Sequence, residues 1–296
     1  MKKPLFTGSG VAIVTPFKED GSVDLVSYGK LIDWQIKEGT KAIIVLGTTG
    51  ENPTINDAEF EKIVSFAIKH INKRVTTVIG TGRNDTHHSI VLSKLAEKLG
   101  ADGLLVVTPY YNKTTQAGLI AHVTAIADSV NIPIILYNVP GRTAMSFTAD
   151  TYAELAKHKN IVGTKEASGD FTLMLRTRKK CPDDFYMWSG NDDQITPIMS
   201  LGGVGVISVL ANIEPKKTQE ICEAYLSGDV KKSAKLQIEL CDLIDLLFVE
   251  ANPIPVKAAL AEMGKCGGGL RLPLVEMSEK GKQTLFASMK LHGLLK

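Results

Sequence analysis

The sequence predicts an α/β fold, a (β/α)8 TIM barrel with a C-terminal helical extension. Two features of the chain support this prediction. Eight short apolar runs, rich in Val and Ile, recur along the first two-thirds of the chain, and segments of helical periodicity separate them. Because the runs are not polar at alternate positions, they are typical of parallel strands covered on both faces. Eight βα units in a chain of 296 residues fit one barrel.

The predicted strands follow one another at intervals that suit βα units. They are Val11–Val14, Ala42–Leu46, Thr76–Ile79, Gly103–Val107, Ile134–Tyr137, Ile161–Lys165, Phe185–Trp188 and Val204–Val209. Between the first two strands, Leu31, Ile32 and Ile36 share one face of a predicted helix, and the segments around Phe60 and Leu92 repeat that pattern. Helix caps are predicted at Asp24, at Thr54 or Asn56, and at Thr148, Asp170, Gly39 and Gly100.

From Pro215 onward the pattern is helical only. Asp229–Val249 is long and amphipathic, and Asn252-Pro253 predicts a cap and the start of a further helix. We therefore predict a catalytic barrel over residues 1–228 and a helical domain over residues 229–296 that serves packing or assembly. A doubly wound sheet is the alternative, but its dinucleotide fingerprint is incomplete, since Gly80-Thr81-Gly82 is followed by Asp85 where the third glycine belongs.

Composition argues against several classes of partner. The 34 basic and 32 acidic side chains are interspersed and leave a net charge of +2, so nothing favours nucleic acid or an anionic membrane. No apolar run approaches the ~20 residues of a membrane span, and no signal peptide is predicted. The four cysteines include no C-x-x-C pair and are typical of buried thiols in a reducing compartment. We expect a cytoplasmic protein without a metal site.

Polar side chains follow the predicted strands at their carboxyl ends, where barrel enzymes have their active sites. These segments are Gly47-Thr48-Thr49-Gly50-Glu51, Thr108-Pro109-Tyr110-Tyr111, Tyr137–Arg142, Thr164–Ser168 and Ser189-Gly190-Asn191-Asp192. Hydroxyls, one lysine and one arginine converge there, and a set of metal ligands does not. The sequence therefore predicts a site that works without a metal.

Lys165 is the candidate nucleophile. Strand alternation places Ile161, Gly163 and Lys165 on one face, and Gly163 leaves room beneath a lysine that points into the barrel mouth. Most lysines are solvated surface groups, but burial in an apolar barrel disfavours the charged amine and favours its nucleophilic form. Such an amine attacks a carbonyl to form an imine. We therefore predict that Lys165 forms an imine with a small 2-oxo acid.

Three neighbouring groups are candidates to assist Lys165. Tyr137 offers a hydroxyl for proton transfer, although a core tyrosine is an equally consistent interpretation. Thr48 and Thr49, flanked by glycines, offer hydroxyls and backbone N–H groups for a carboxylate, or simply form a tight turn. Arg142 has a guanidinium fork that fits a second carboxylate, with an ordinary surface arginine as the alternative.

Together these motifs resemble those of one family, the 4-hydroxy-tetrahydrodipicolinate (dihydrodipicolinate) synthases of lysine biosynthesis through diaminopimelate. Single motifs such as GTTGE also occur in sister enzymes, but the whole set is specific and spans nearly all of the chain in order. The matching segments are Gly10–Phe17, Gly47–Glu51, Thr108–Asn112, Tyr137–Thr143, Lys165–Ser168, Ser189–Asp192, Gly205–Asn212 and Asn252–Lys257.

The resemblance implies a reaction. Lys165 would condense with pyruvate, and the resulting enamine would attack the aldehyde of L-aspartate 4-semialdehyde. Cyclisation through the substrate amine would release 4-hydroxy-tetrahydrodipicolinate and free the lysine. Tyr137 would shuttle protons, linked to Thr48 and to a tyrosine matching Tyr111 that comes from a neighbouring subunit. No cofactor is implied, because the imine is the electron sink.

The resemblance also implies where the substrates and subunits bind. Thr49, Gly190 and the main chain of Ile207 would hold pyruvate, and Arg142 would receive the carboxylate of the semialdehyde. The partners are then the two substrates and further copies of the chain, with a tetramer built from two tight dimers as the expected homo-oligomer.

Two other functions compete with this interpretation. Sister aldolases, such as N-acetylneuraminate lyase or a 2-keto-3-deoxy sugar-acid aldolase, share the fold, the lysine and the tyrosine. Gly141-Arg142-Thr143 and Thr48 resemble the synthases instead, since the lyases tend to carry serine at the Thr48 position. A non-catalytic barrel retained for binding or regulation would be favoured by loss of the lysine, tyrosine or arginine, and all three are present.

Feedback by L-lysine is expected to be weak or absent. Lysine-regulated members of the family bind the inhibitor between subunits with a glutamate and a nearby histidine. At those positions this chain has His88 and Phe60, while Asn84 and Tyr110 are kept. Asp57 stands near the changed residues and is a potential substitute charge.

Overall fold

The computed structural model describes residues 1–296 and contains eight parallel strands closed into a barrel. The strands are β1 (Gly8–Ala12), β2 (Ala42–Val45), β3 (Thr76–Gly80), β4 (Gly103–Val107), β5 (Ile134–Asn138), β6 (Ile161–Glu166), β7 (Tyr186–Ser189) and β8 (Gly205–Ser208). Each strand pairs with the next, and β8 pairs with β1. The predicted (β/α)8 barrel is confirmed.

Helices connect the strands and continue beyond β8. They are α1 (Leu25–Lys37), α2 (Asp57–Ile71), α3 (Thr86–Leu99), α4 (Gln116–Asp128), α5 (Pro140–Thr143), α6 (Ala149–Leu155), α7 (Phe171–Lys180), α8 (Ile195–Ser200), α9 (Pro215–Leu226), α10 (Val230–Glu239), α11 (Cys241–Leu246), α12 (Ile254–Glu262) and α13 (Glu279–Leu291). None of them combines the length and the apolar character that a membrane span requires. The predicted C-terminal helical extension is therefore present as α10 to α13.

The first strand begins earlier than the apolar run predicts. β1 starts at Gly8, and its first residues pair with β8 although they are not apolar. The strand ends before Val14, because the backbone N–H of Val14 donates to Asn212 Oδ1 (3.1 Å) instead of to a neighbouring strand. The apolar pattern located the strand but not its pairing partners, so its bounds were wrong by a few residues.

Two apolar layers, one inside the barrel and one between strands and helices, make up the core. The barrel interior is filled by Phe6, Ala12, Ala42, Ile44, Val78, Leu105, Ile135, Tyr137, Val162, Trp188 and Ile207. Phe6 precedes β1 and packs against Trp188 with ring centroids 5.3 Å apart, while the Trp188 indole N–H donates to the Phe6 carbonyl (3.2 Å). The N-terminal segment thus helps to fill the barrel, and the polar strand ends remain at the opposite rim.

β6 contains a bulge that changes its predicted faces. Ile134 pairs with Ile161 and Ile135 pairs with Gly163, so Val162 is an extra residue in the strand. Ile161 packs in the outer layer and Val162 inside the barrel. The prediction that Ile161 shares a face with Lys165 is therefore wrong, because strict alternation does not hold across a bulge.

Gly163 is required by a close approach of backbones as well as by space. A Cβ at this position would lie 2.1 Å from the carbonyl oxygen of Tyr186 and 3.0 Å from Trp188. Glycine therefore lets β6 and β7 approach each other directly before Lys165. The sequence analysis explained Gly163 by space beneath Lys165, whereas in the structure the absent side chain makes space for β7.

Most of the predicted helix caps are confirmed. Asp24, Asn56, Thr148 and Asp170 each accept backbone N–H bonds at helix starts. Asn56, not Thr54, caps α2 and forms a reciprocal capping box with Glu59. Two further predicted caps lie at helix ends, where Gly100 caps α3 and Gly39 follows the α1 cap Glu38.

The C-terminal extension differs from the predicted long helix. Asp229–Val249 is divided at Leu240, which is fully buried and is at once the last cap of α10 and the first cap of α11. The predicted long helix is therefore interrupted at a buried residue and forms two shorter helices, α10 and α11. The next helix begins at Ile254, with Pro253 in the cap position.

The cysteines are all free, but not all are buried. Cys181 and Cys222 are buried, Cys266 is half-buried and Cys241 is exposed. The expectation of four buried thiols is therefore wrong for Cys241, which begins α11 directly after the bend.

Tyr152 and Tyr28 provide a matched test of the packing between barrel and helices. Both are fully buried, but the Tyr152 hydroxyl donates to Glu166 Oε2 (2.8 Å), while the Tyr28 hydroxyl has no partner in the chain. Burial raises the pKa of Glu166, and the hydroxyl of Tyr152 opposes that shift.

We expect Tyr152→Phe to lower the free energy of unfolding by about 1–3 kcal/mol, because it removes a donor from a buried carboxyl group. Tyr28→Phe should be neutral or stabilising, since it removes a buried hydroxyl that makes no hydrogen bond. Urea unfolding of both variants measures the difference, and equal destabilisation by the two substitutions would contradict the assignment.

Candidate active site

Lys165 lies at the barrel mouth between two aromatic neighbours. It pairs in register with Tyr137 on β5 and with Trp188 on β7. Its side chain is buried, with the residue 4% exposed, and its Nζ lies 4.3 Å from the centroid of the Tyr137 ring. The amine is therefore buried against an aromatic ring inside the barrel mouth, where the sequence predicted it, and it forms no ion pair.

Gly190 lies directly against the end of Lys165. A Cβ on Gly190 would lie 3.1 Å from Cε of Lys165 and 2.6 Å from Cβ of Ala167. Any larger residue would therefore displace the lysine side chain or the strand that carries it. The structure thus places Gly190 against the nucleophile, where a larger residue would not fit.

Asp192 is a buried carboxyl group close to the same lysine. Its Oδ2 accepts from the backbone N–H groups of Val209 (3.0 Å) and Leu210 (2.8 Å), whereas its Oδ1 has no partner in the chain. Burial raises the pKa of Asp192, and its hydrogen bonds and the charge of Lys165 oppose that shift. In the sequence, Asp192 was only the last residue of a polar strand end, with no predicted role.

A cavity opens beside Tyr137 over the carboxyl ends of β2 to β5. Of the predicted site residues, Thr48, Tyr137 and Arg142 line it. No hydrogen bond joins Tyr137 to Thr48 in this structure. The Arg142 guanidinium donates to the carbonyl of Asn252 (3.1 Å) and is otherwise free to meet a ligand.

Five predicted residues lie outside this lining, and Lys165 and Gly190, described above, are two of them. Thr49 is 2% exposed, and its hydroxyl accepts from Asn252 Nδ2 (3.0 Å). Ile207 is fully buried in the barrel interior. Tyr111 is 92% exposed and has a left-handed backbone with φ of 73°, so its side chain buries little surface against its own barrel.

The turn that carries Thr48 and Thr49 is held from several sides. Its residues Thr48–Gly50 form one 3₁₀ turn, and Glu51 follows with φ of 56°. Thr15 donates to the carbonyl of Gly50 (2.8 Å), and Asn252 donates to Thr49. The C-terminal extension, predicted to serve packing or assembly, therefore also fixes the candidate site.

Glu51 anchors this turn in a fully buried ion pair. Lys257 of α12 donates to Glu51 Oε1 (2.6 Å) and to the Thr15 carbonyl (3.0 Å), and both charged side chains are 0% exposed. The backbone N–H of Arg271 donates to Glu51 Oε2 (3.1 Å). Burial lowers the pKa of Lys257, and the charge of Glu51 opposes this effect. Glu51 and Lys257 both belong to motifs identified in the sequence, but no physical role was predicted for either residue.

Arg83 is a cavity residue that the sequence analysis missed. It is 8% exposed, lines the same cavity as Arg142, and donates to the Gly82 carbonyl (3.0 Å) and to Asn52 Oδ1. It follows the carboxyl end of β3, in the segment that was considered only as an incomplete dinucleotide fingerprint. The strand-end rule would have found it had that rule been applied to β3.

The residues compared with a lysine-binding crevice form a small cluster beside this cavity. His88 Nε2 lies 2.9 Å from Asp57 Oδ1. Phe60 is fully buried, and the Arg83 guanidinium lies 5.9 Å from its ring centroid. Asp57 is thus engaged by His88.

Chemically, the site offers one buried amine, hydroxyl groups and two guanidinium groups. The amine can attack a carbonyl, and the guanidinium groups can bind carboxylates in forked geometry. No group of three or more His, Cys, Asp or Glu side chains is arranged to hold a metal ion. The arrangement suits imine chemistry on small carboxylic acids.

The Glu51–Lys257 pair can be tested by removing one partner. Lys257→Met should lower the free energy of unfolding by about 3–5 kcal/mol, because it leaves a carboxylate buried without its counter-charge. Lys282→Met is the control, since Lys282 pairs with Glu276 and Glu279, both largely exposed. Denaturant unfolding of both variants measures the effect, and a cost for Lys257→Met no larger than that for Lys282→Met would be inconsistent with the pair's proposed anchoring role.

Comparison with known proteins gives consistent matches over nearly the whole chain. A sequence model described as the dihydrodipicolinate synthetase family matches residues 5–292. A 4-hydroxy-tetrahydrodipicolinate synthase from Thermoanaerobacter sp. (strain X514) is 53% identical over 294 residues, which cover 99% of each chain.

Solved structures agree with these sequence matches. The crystal structure of dihydrodipicolinate synthase from Thermotoga maritima superposes with a TM-score of 0.97 at 47% identity and covers 99% of this chain and 100% of that one. A dihydrodipicolinate synthase from Cyanidioschyzon merolae, solved with lysine bound, is 38% identical with a TM-score of 0.96 and covers 99% and 100% of the two chains.

Proposed function

Because the chain belongs to the dihydrodipicolinate synthetase family, a family of lyases, we propose that Lys165 is the residue through which it carries out the family's reaction. The enzyme condenses pyruvate with L-aspartate 4-semialdehyde to 4-hydroxy-tetrahydrodipicolinate in lysine biosynthesis through diaminopimelate. The observation that supports Lys165 most strongly is its buried amine, held against the Tyr137 ring at the barrel mouth. No feature of the chain favours the activity of the sister aldolases over that of the synthases.

The reaction follows from the chemistry of an amine and two carbonyl groups. The Lys165 amine adds to the keto carbon of pyruvate, and loss of water leaves an imine. Removal of a methyl proton gives an enamine, whose carbon attacks the aldehyde of the semialdehyde. The substrate amine then attacks the imine carbon, so the ring closes and the Lys165 amine leaves.

Each of these steps moves protons, and Tyr137 is the proposed shuttle. Its ring covers the Lys165 amine and it lines the cavity that Thr48 also lines. We propose that Thr48 links Tyr137 to Tyr111 of a neighbouring subunit when substrate is bound. The exposure of Tyr111 supports this arrangement, because its side chain is of no use to its own barrel.

The two substrate carboxylates have separate proposed partners. Pyruvate would lie at the turn of Thr48 and Thr49, beside Ile207 and Gly190, where glycine-flanked backbone N–H groups are close to the lysine. The semialdehyde carboxylate would meet the Arg142 guanidinium at the open side of the cavity.

The proposal also covers assembly and location. A shared Tyr111 requires at least a dimer, and we propose a tetramer of two tight dimers. Production of an amino-acid precursor from two small metabolites fits the cytoplasm, which we propose as its location.

The covalent intermediate is the first test. Borohydride reduction in the presence of pyruvate should inactivate the enzyme and add a reduced pyruvyl group to the peptide that contains Lys165, because only an imine is reduced to a stable amine there. Mass spectrometry of the digested protein locates the label. Labelling of Lys165→Ala at another lysine, to the same extent, would show that the nucleophile has been misassigned.

Arg142→Ala should impair use of the semialdehyde far more than formation of the pyruvate imine. We expect kcat/KM for the semialdehyde to fall about 10- to 100-fold, since a hydrogen bond to a charged group contributes ~1.5–3 kcal/mol. The pyruvate concentration needed for half-maximal borohydride inactivation reports the first half-reaction.

Arg176→Ala is the control for loss of one positive charge, because Arg176 is exposed on α7 and distant in sequence from the cavity segments. Equal damage to both half-reactions in Arg142→Ala would assign the arginine a structural role, through its bond to Asn252, instead of a role in binding.

Feedback by L-lysine is proposed to be weak or absent. The homologue from Cyanidioschyzon merolae binds lysine, but here His88 occupies the position expected for a glutamate and engages Asp57. An inhibitor ammonium would be desolvated without a counter-charge, which costs ~2–5 kcal/mol, or more than about 30-fold in affinity.

Initial rates at sub-saturating substrate, measured against rising L-lysine, test this proposal. His88→Glu is the matched variant, because it supplies a carboxylate and releases Asp57, and it should strengthen inhibition. Half-inhibition of the unmodified enzyme well below millimolar lysine would show that His88 and Phe60 do not impair the crevice.

A further inference from the structure

Two guanidinium groups line the candidate cavity, and neither forms an ion pair within the chain. Arg142 donates only to the carbonyl of Asn252, and Arg83 donates to the carbonyl of Gly82 and to Asn52 Oδ1. A guanidinium group carries five N–H donors. Three donors of Arg83 therefore have no partner within the chain.

The burial of Arg83 makes this unpaired charge unusual. Arg83 is 8% exposed, and the other deeply buried cation outside the reaction centre, Lys257, is paired with Glu51. Burial lowers the pKa of Arg83, and the charges of Tyr110 and Asp57 oppose this shift. Asp57 bonds to His88 and lies beyond ion-pair distance of Arg83. Since a buried charge without a partner is costly, an anion in the cavity would complete the site.

The substrates leave Arg83 without an assigned role. Pyruvate and the semialdehyde each carry one carboxylate, and the proposed function assigns these to the Thr48–Thr49 turn and to Arg142. The wall of the same cavity includes Leu46, Val107 and Val139. The cavity thus combines two cationic groups with an aliphatic surface.

We propose that Arg83 and Arg142 together form a binding site for a small aliphatic dicarboxylate, with one carboxylate on each guanidinium group. The ligand's methylene chain would lie along the apolar wall. Such a ligand would compete with the semialdehyde for Arg142, and this part of the proposal rests on the proposed function. The contact of the ligand with Arg83 is independent of the proposed function. Arg83 is then the residue that distinguishes a second carboxylate from a methyl group.

Paired ligands of equal chain length test this site directly. Succinate and glutarate are compared with butyrate and valerate by isothermal titration of the intact enzyme at constant ionic strength. We expect each dicarboxylate to bind about tenfold or more tightly than its monocarboxylate, because it gains a second charge-assisted hydrogen-bonding partner. Inhibition by the dicarboxylate should be competitive with the semialdehyde.

Arg83→Met should abolish the dicarboxylate preference, since it keeps an apolar stem and removes the fork. Arg83→Lys keeps the charge and should reduce the preference only in part. This variant replaces Arg83→Met in the test if the methionine variant does not fold. Arg176→Met controls for net charge and should keep the full preference.

Equal binding of dicarboxylates and monocarboxylates by the unmodified enzyme would overturn the proposal. So would an undiminished preference in a folded Arg83 variant, and Arg83 would then be explained by packing over Phe60. Borohydride labelling of Lys165 with pyruvate, measured on the same samples, reports the proposed function separately, so that failure of one can be told from failure of the other.

Discussion

The buried ion pair between Glu51 and Lys257 is the interaction on which the geometry of the site depends. It joins the end of the β2 segment to α12, two parts of the chain separated by about two hundred residues. Glu51 completes the turn that presents Thr48, and Asn252, just before α12, bonds to both Thr49 and Arg142. A carboxylate and an ammonium removed from water are stable only with good geometry and further hydrogen bonds, and both have them here. The C-terminal helices and the barrel mouth are therefore one structural unit in this region.

This anchoring also explains how Lys165 can lie unpaired a short distance away. The lysine packs against the Tyr137 ring and lies close to Asp192, but it forms no ion pair. Two other buried carboxylates, Glu51 and Glu166, have partners elsewhere. Glu51 is bound by Lys257, and Glu166, next to Lys165 in sequence, points to the opposite face and bonds to Tyr152. Strand alternation thus turns Glu166 away from the nucleophile.

The barrel and the rim at which its polar strand ends meet could be predicted from the sequence because both follow from local rules. Apolar runs identify strands, and the ends of parallel strands meet at one rim, so Lys165, Tyr137 and Arg142 could be brought together without coordinates. What local rules could not give was contact across the chain. The bulge at Val162 depends on register with β5, and the division at Leu240 depends on burial against other helices. The partnership of Glu51 with Lys257 was hidden for the same reason.

The cationic cavity carries a consequence for the stability of the empty enzyme. Arg83 and Arg142 line this cavity without an ion-pair partner, and Lys165, buried against Tyr137 of the cavity wall, forms no ion pair either, while the ion pairs that stabilise the fold lie elsewhere. An anion that binds these groups only in the folded protein shifts unfolding by RT ln(1 + [L]/Kd). Two anions distinguish these cations, because pyruvate would bind at Lys165 and a dicarboxylate at Arg83 and Arg142. Stabilisation by pyruvate and by a dicarboxylate should therefore be additive if the two ends are independent, and less than additive if both ligands compete for one carboxylate position. The electrostatics of the empty site thus set how the two halves of the cavity are coupled.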